Sequence, residues 1–219
     1  MKTRERIVQS SLDLFNQQGE RSVSTNHIAN YLDISPGNLY YHFANKQEIV
    51  AALFRKYEGR VDSFLCLPEG RPATIEDLRG YLRELISVTW DYRFFYRDLE
   101  HLLNSDPELA KQFRVFCARC LVQARAIYRG FSKAGILEIG EIEIDSLSIN
   151  AWILLTSWVR FLCTSQMPSN HLSEEAVKRG IFQVLILIKG FASPSCRLEM
   201  EALCADFYVP LQLPAEPLH

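Results

Sequence analysis

Between Pro107 and Lys133 the apolar residues Leu109, Phe113, Phe116, Cys120, Ala124, Ile127 and Phe131 recur in steps of 4, 3, 4, 4, 3 and 4. That is the period of an α-helix carrying one continuous apolar stripe. Asp106 can cap this helix, and Pro107 can occupy its first position, where a missing N–H costs nothing. A stripe of this length cannot be left in water, so other elements must cover it.

The rest of the chain offers helices for that purpose. Arg4 to Gln18 carries Ile7, Ser11, Leu14 and Phe15 on one side, with Gly19 as a C-terminal stop. Thr25 to Leu32 forms a short helix capped by Ser24 or Thr25. Ser35 caps a third helix with Pro36 in its first position, and Lys46 opens a longer one to about Ser63 whose apolar positions are Ile49, Val50, Leu53, Phe54 and Tyr57. Leu67-Pro68-Glu69-Gly70-Arg71-Pro72 is the clearest linker. Beyond it, Ile75 to Asp91, Phe94 to Asn104, Asp145 to Ser165, Ser173 to Ala192 and Arg197 to Phe207 have helical periods, followed by a Pro-rich tail. The alternation from Glu141 to Ile144 is too short to weigh as a strand. The expectation is an all-α protein. Residues 1–48 form an N-terminal three-helix domain, helix 46–64 is the link, and 65–210 form a C-terminal bundle of five or six helices.

Composition narrows the setting. The chain has 219 residues, 48% hydrophobic and 23% charged, which suits a globular protein with a sizeable core. Its first residues are charged and lack the apolar run of a signal peptide. The most apolar stretch, Leu147 to Thr164, contains Asn150 and Arg160, and Ile181 to Ile188 is too short for a bilayer. A cytoplasmic protein with no membrane partner is expected. Residues 1–60 hold eight Lys or Arg against six Asp or Glu, and the remainder holds sixteen against twenty. Polyanion binding, if present, therefore belongs at the N-terminus.

Function classes can be weighed in the same way. Of six cysteines only Cys117 and Cys120 are close in sequence, inside the long helix, and no second Cys or His pair completes a metal site. The plain reading of that pair is two small buried residues; the sharper one is a thiol redox switch. No Gly-rich phosphate loop, metal-ligand cluster or Ser-His-Asp constellation supports an enzyme in the helical body. No cofactor and no metal are expected.

The informative stretch is Ser35 to Lys46, SPGNLYYHFANK. It follows a short helix and a tight turn at Asp33-Ile34, which is a helix-turn-helix arrangement. With Pro36 at zero and about 100° per residue, Leu39 and Phe43 point inward near 320°. Tyr41 points the opposite way with Gly37 and Asn38 beside it, and Tyr40 and His42 stand on the flanks. That outward face suits a DNA groove. Gly37 permits close approach, Asn38 can donate and accept at a base edge, and tyrosine can touch a thymine methyl or bond a phosphate. Thr25 offers a similar contact from the preceding helix. Lys46 sits at a helix start, where a cation is unfavourable unless an anion is near; a phosphate would remove the conflict. Tyr40 could equally be half-buried packing, His42 a local cap, and Lys46 merely solvated.

Thr25-x-x-Ile28-Ala29 followed by Ser35-Pro36-Gly37-Asn38-Leu39-Tyr40-Tyr41-His42-Phe43-x-x-Lys46-x-x-Ile49 resembles the N-terminal signature of TetR/AcrR-type transcriptional regulators. The likeness covers about the first 50 residues. It departs at Asp33, where the family usually has glycine; Asp tolerates left-handed geometry better than most residues. The resemblance implies a homodimer on a palindromic operator in double-stranded DNA, most often as a repressor, whose heads are moved by a small-molecule effector bound in the C-terminal domain. It implies DNA contacts at Thr25, Ser35, Pro36, Gly37, Asn38, Tyr40, Tyr41, His42 and Lys46. It also implies a dimer interface on the last two long helices, where Leu154, Leu155, Trp158, Ile181, Leu185 and Ile188 are the apolar candidates. The aromatic content of the body suggests a mostly apolar effector cavity, with Trp90, Phe94, His101, Phe113, Phe116, Cys117, Trp152 and Trp158 as candidate lining. His101, Asn104, Arg114, Arg125 and Asn150 are the polar groups that could face it.

Overall fold

A computed structural model describes residues 2–165 and 172–210. The described residues form ten helices: α1 (Thr3–Gln18), α2 (Thr25–Tyr31), α3 (Pro36–His42), α4 (Lys46–Phe64), α5 (Ile75–Asp91), α6 (Arg93–Ser105), α7 (Pro107–Lys133), α8 (Glu141–Ser165), α9 (Glu174–Lys189) and α10 (Arg197–Phe207). Their only strand-like pairing is an isolated bridge between Leu137 and Ala192. The Pro-rich tail beyond residue 210 lies outside the described residues.

Most boundaries follow from capping chemistry. Ser24, rather than Thr25, caps α2 and forms a capping box with His27. Ser35 accepts from the Asn38 N–H at 3.2 Å and sets the start of α3. Asn45 caps α4, and Asp106 accepts from the N–H groups of Glu108 and Leu109 ahead of α7. The largest departure from the sequence expectation is the start of α8, while α9 ends at Lys189 rather than Ala192. Glu141 to Ile144 is the first turn of α8, because the Glu143 carboxylate caps the Gly140 N–H and Ile144 N–H bonds the Gly140 carbonyl. A helical first turn and a short alternating run look alike over four residues.

The hydrophobic packing does not divide at the expected linker. One buried cluster runs from Ile7, Phe15, Ile28, Leu39 and Phe43 in the head along Ile49, Leu53, Phe54 and Tyr57 of α4 to Phe94, Phe95, Tyr96 and Phe116 in the body. A second cluster joins α5, the end of α7, the start of α8, α9 and α10. The head thus shares a core with the near half of the body, and α4 is the element they share. α8 is long and apolar enough to cross a membrane by length and composition, but it packs against α6, α7 and α9.

Candidate DNA-binding surface and effector cavity

The head is held from within by Leu39 and Phe43, both essentially inaccessible, so α3 has one fixed rotation. Tyr41 is then 85% exposed, with Gly37 and Asn38 in solvent beside it. The turn between α2 and α3 closes through the Ile34 N–H to the Ala29 carbonyl at 3.0 Å. Asp33 adopts φ 53°, the one non-glycine positive φ among the described residues. Tyr40 is 49% exposed, and its hydroxyl meets Thr25 Oγ1 at 3.0 Å, tying the recognition helix to the start of α2. The rings of Tyr41 and His42 meet edge-on at 5.1 Å. Arg21, Thr25, Tyr40 and Asn45 border one shallow notch beside this face.

Lys46 is not free. Its ammonium donates to the Glu20 carbonyl at 2.9 Å and the Val23 carbonyl at 3.0 Å, and lies 2.8 Å from Glu20 Oε1. The anion expected to relieve its place at the start of α4 is therefore a buried protein carboxylate. The other Glu20 oxygen lies 3.6 Å from His101 Nε2 on α6. Nearby, Arg97 of α6 donates to the Phe15 carbonyl at 2.6 Å, and Asn16 bonds the Asp91 carbonyl at 2.7 Å and the Phe94 N–H at 3.1 Å. The base of the head is thereby hydrogen-bonded to α5 and α6.

The body contains a cavity of about 110 Å³ bounded by α4 to α9. None of its described lining residues is charged; Leu82, Tyr128, Phe116, Trp152, Leu155 and Leu185 form much of the wall. Tyr57 of α4 and Tyr96 of α6 reach it together, their hydroxyls 2.8 Å apart. Burial pushes both phenols up from their ordinary value, and the Cys120 thiol up to about 12. The wall therefore resists negative charge.

Residues 7–53 match the family described as bacterial regulatory proteins, tetR family, and residues 56–200 match the one described as bacterial transcriptional repressor. The second match alone spans more than half of the chain. The chain belongs to the TetR family. It is a DNA-binding transcriptional regulator by that membership. A TetR-family regulator from Marinobacter aquaeolei VT8 is 44% identical, with 94% of this chain and 99% of that one covered and a TM-score of 0.86. The regulator UidR of Escherichia coli K12 is 34% identical over 58 residues, 26% of this chain and 30% of UidR. A putative regulator from Saccharomonospora viridis, solved with choline, shares the fold at TM-score 0.63 and 17% identity, over 85% of this chain and 95% of that one.

In this TetR-family chain the expected cavity residues fare unevenly. Phe116 and Trp152 line the cavity. Phe113 packs behind them, its ring 6.2 Å from each. Trp90 instead lies under the Arg93 guanidinium at 4.0 Å, and Phe94 stacks on Phe15 of the head. His101 faces Glu20, and Trp158 donates to the Ala176 carbonyl at 2.8 Å while pressing on Gly180. Cys117 falls one step off the inward stripe of α7, leaving Cys120 at the wall. Burial raises both thiols, which opposes the reactive thiolate that a redox switch requires. None of the proposed polar groups, His101, Asn104, Arg114, Arg125 and Asn150, lines the cavity; Arg125 pairs with Asp145 at 2.6 Å. The polar groups sequence reasoning missed are the hydroxyls of Tyr57, Tyr81, Tyr96, Tyr128, Ser148 and Thr156, of which Tyr57 and Tyr96 bond each other. Tyr57 was legible only as an apolar position on α4.

The expected interface residues are also redistributed. Ile181, Leu185 and Ile188 are buried within the protomer, and Leu155, Leu185 and Ile188 line the cavity. Leu154 is half-buried. Among the described residues, the apolar side chains of α8 left exposed are Ile142, Ile149 and Ile153 on one stripe and Phe161 to its side, with Ile142 79% and Ile153 53% exposed. A helix apolar on two faces has two candidate core sides by hydropathy alone, and packing turns Ile144, Leu147, Ala151, Val159 and Leu162 inward.

Proposed function

We propose that this regulator binds a palindromic operator in double-stranded DNA as a cytoplasmic homodimer, represses transcription there, and is released by a small, largely apolar ligand. The observation that carries this reading is the uncharged cavity into which α4 contributes Tyr57 and Val61. α4 also begins at Lys46, which fastens the α1–α2 turn, so one helix runs from the cavity wall to the recognition unit. A ligand that expands the cavity shifts α4 and with it the head. A ligand favouring the shifted state must weaken DNA binding by the same coupling factor that DNA weakens the ligand.

In this reading α3 enters the major groove. Gly37, Asn38 and Tyr41 reach base edges, while Thr25, Ser35, Pro36, Tyr40 and His42 meet the backbone or groove walls. Lys46 supports that surface by holding the preceding turn. Ile142, Ile149, Ile153 and Phe161 of α8, with the exposed Ile186 of the adjoining α9, form the dimer face. Two recognition helices then sit about 34–36 Å apart, or a multiple, to enter successive major-groove faces.

Selection of bound duplexes from a random pool tests the reading most directly. A recovered inverted repeat with that half-site spacing is the expected result, and recovery of no enriched sequence refutes it. Light scattering at micromolar concentration should give twice the chain mass. A thermal-shift screen of small neutral aromatics should raise the melting temperature of wild type but not of Ala151→Trp, which fills the cavity.

A further inference from the structure

The two tyrosine hydroxyls at the α4–α6 end of the cavity cannot satisfy each other. Each phenol carries one proton and can accept as well. The Tyr57–Tyr96 contact at 2.8 Å uses one proton and leaves the other to find an acceptor. The hydroxyl beside them is that of Thr89 on α5, which is buried, lies against the Tyr96 phenol and has no other hydrogen-bond partner among the described residues; where it accepts the second proton its own proton is left over, so the row of three hydroxyls still ends on an unmet donor. Both tyrosines line the cavity and are almost wholly withdrawn from solvent. Buried donors left unmet are rare and costly, and a site holding one is built to receive an acceptor.

The remaining wall defines the rest of the molecule. It is mostly aliphatic and aromatic; the Ser148, Thr156 and Tyr81 hydroxyls on it donate to backbone carbonyls, Tyr128 is a further phenol, and no Lys, Arg, His, Asp or Glu stands among the described lining residues. An ion entering it would lose water without gaining a counter-charge. The upward displacement of the Tyr57, Tyr96 and Cys120 acids agrees, because the surroundings oppose negative charge in the protein's own groups. The volume of about 110 Å³ is somewhat below that of engineered cavities, roughly 150 Å³, that take up benzene. A single substituted ring is the right scale provided that it expands the cavity, as the proposed displacement of α4 requires.

We propose that the effector is an uncharged, compact apolar molecule with one oxygen acceptor, a carbonyl or hydroxyl, which inserts at the Tyr57–Tyr96 pair. This rests on the cavity being the effector site and adds the chemistry of recognition. It also gives the ligand a direct hold on the head. The Tyr57–Tyr96 hydrogen bond joins α4 to α6, so an acceptor that takes either proton exchanges that cross-link for a contact to itself. An apolar molecule without an acceptor would occupy the cavity but leave the cross-link in place.

Small probes test the proposal on the full chain by isothermal titration: acetophenone and the similarly sized cumene, with benzoate and choline as the charged comparisons. Acetophenone should bind about tenfold more tightly than cumene, the worth of one buried hydrogen bond. Tyr57→Phe and Tyr96→Phe together should erase that preference, leaving cumene affinity within about twofold of wild type, which also shows that the doubly substituted protein is folded. Equal affinity for acetophenone and cumene overturns the proposal, as does a preference that survives the double substitution or tighter binding of benzoate or choline. In each of those cases cumene binding that Ala151→Trp abolishes leaves the effector cavity standing. Failure of all four probes to bind overturns both.

Discussion

On α3 the tyrosines Tyr40 and Tyr41 face solvent, whereas in the body Tyr57, Tyr96 and Tyr128 are withdrawn from it. In the head the rotation of a seven-residue helix is fixed by two anchors, Leu39 and Phe43, and everything off that side is exposed. In the body each aromatic can point at a neighbouring helix on either side, and which side wins depends on partners far away in sequence. Trp90 and Phe94 turn towards the head junction while Phe116 and Trp152, of the same residue types, turn to the cavity. Exposure of aromatics in the head is therefore a local property suited to an external partner. Their burial in the body is a collective one suited to an internal ligand.

The comparison breaks most visibly at the anchors. Phe43→Ala should cost about 3–5 kcal/mol of stability, because the ring is fully buried against Arg4 and the head core. Tyr41→Ala, two residues away, should leave the urea midpoint unchanged. If Phe43→Ala is tolerated, the head does not rest on that anchor and the rotation of α3 loses its physical basis.

The junction gives the next effect. Lys46→Ala leaves the buried Glu20 carboxylate without its cation and frees two carbonyls, which should cost about 3 kcal/mol. Replacing Glu20 with Gln in that background should recover part of the loss, a coupling a double-mutant cycle reads directly. The salt dependence of DNA affinity should stay unchanged in Lys46→Ala once the folded fraction is allowed for. A slope lower by about one would show that Lys46 contacts phosphate after all.

Surface changes should act on assembly and affinity alone. Ile153→Glu introduces a charge into the α8 stripe and should halve the mass in light scattering at micromolar concentration, with the melting of the isolated protomer little altered. Tyr41→Ala should weaken binding to the selected duplex by roughly tenfold, about 1.4 kcal/mol. An unchanged affinity in a salt-controlled titration would remove Tyr41 from the recognition face.

The difference between the two regions also explains what could be read from the chain. The α3 start, its inward pair and its outward Tyr41 follow from spacing, because Ser35, Pro36, Leu39 and Phe43 act within one helix turn or two. The all-helical body and the stripe on α7 follow for the same reason. The partner of Lys46 does not, since Glu20 lies 26 residues away and meets it only once α1 and α4 are packed. Nor does the cavity. Hydropathy marks Ile181, Leu185 and Ile188 as apolar, but cannot say whether a protomer's own core or a second copy covers them. Tyr57 was visible as an inward position; its hydroxyl's partner on α6 required the fold.

The body still contains local signals, and the smallest effect tests one of them. Thr74 and Asp77 form a capping box at the start of α5, and Arg71 of the linker adds two hydrogen bonds to the Asp77 carboxylate at 2.6 Å each. The Arg71 guanidinium, followed by the Thr74 hydrogen bonds, holds the Asp77 carboxyl well below the usual carboxylate range. The folded state thus prefers the ionised form more strongly than the unfolded chain does, whose Asp titrates near about 3.9. This contribution is complete above that value and is lost as pH falls from there through the lower folded value. Asp77→Asn should therefore cost about 1 kcal/mol at pH 7, the usual worth of a cap. The gap between wild type and variant should narrow progressively below about pH 4. A gap that is constant from pH 7 to pH 3 would assign the effect to packing and would place the cap among the long-range features of the body.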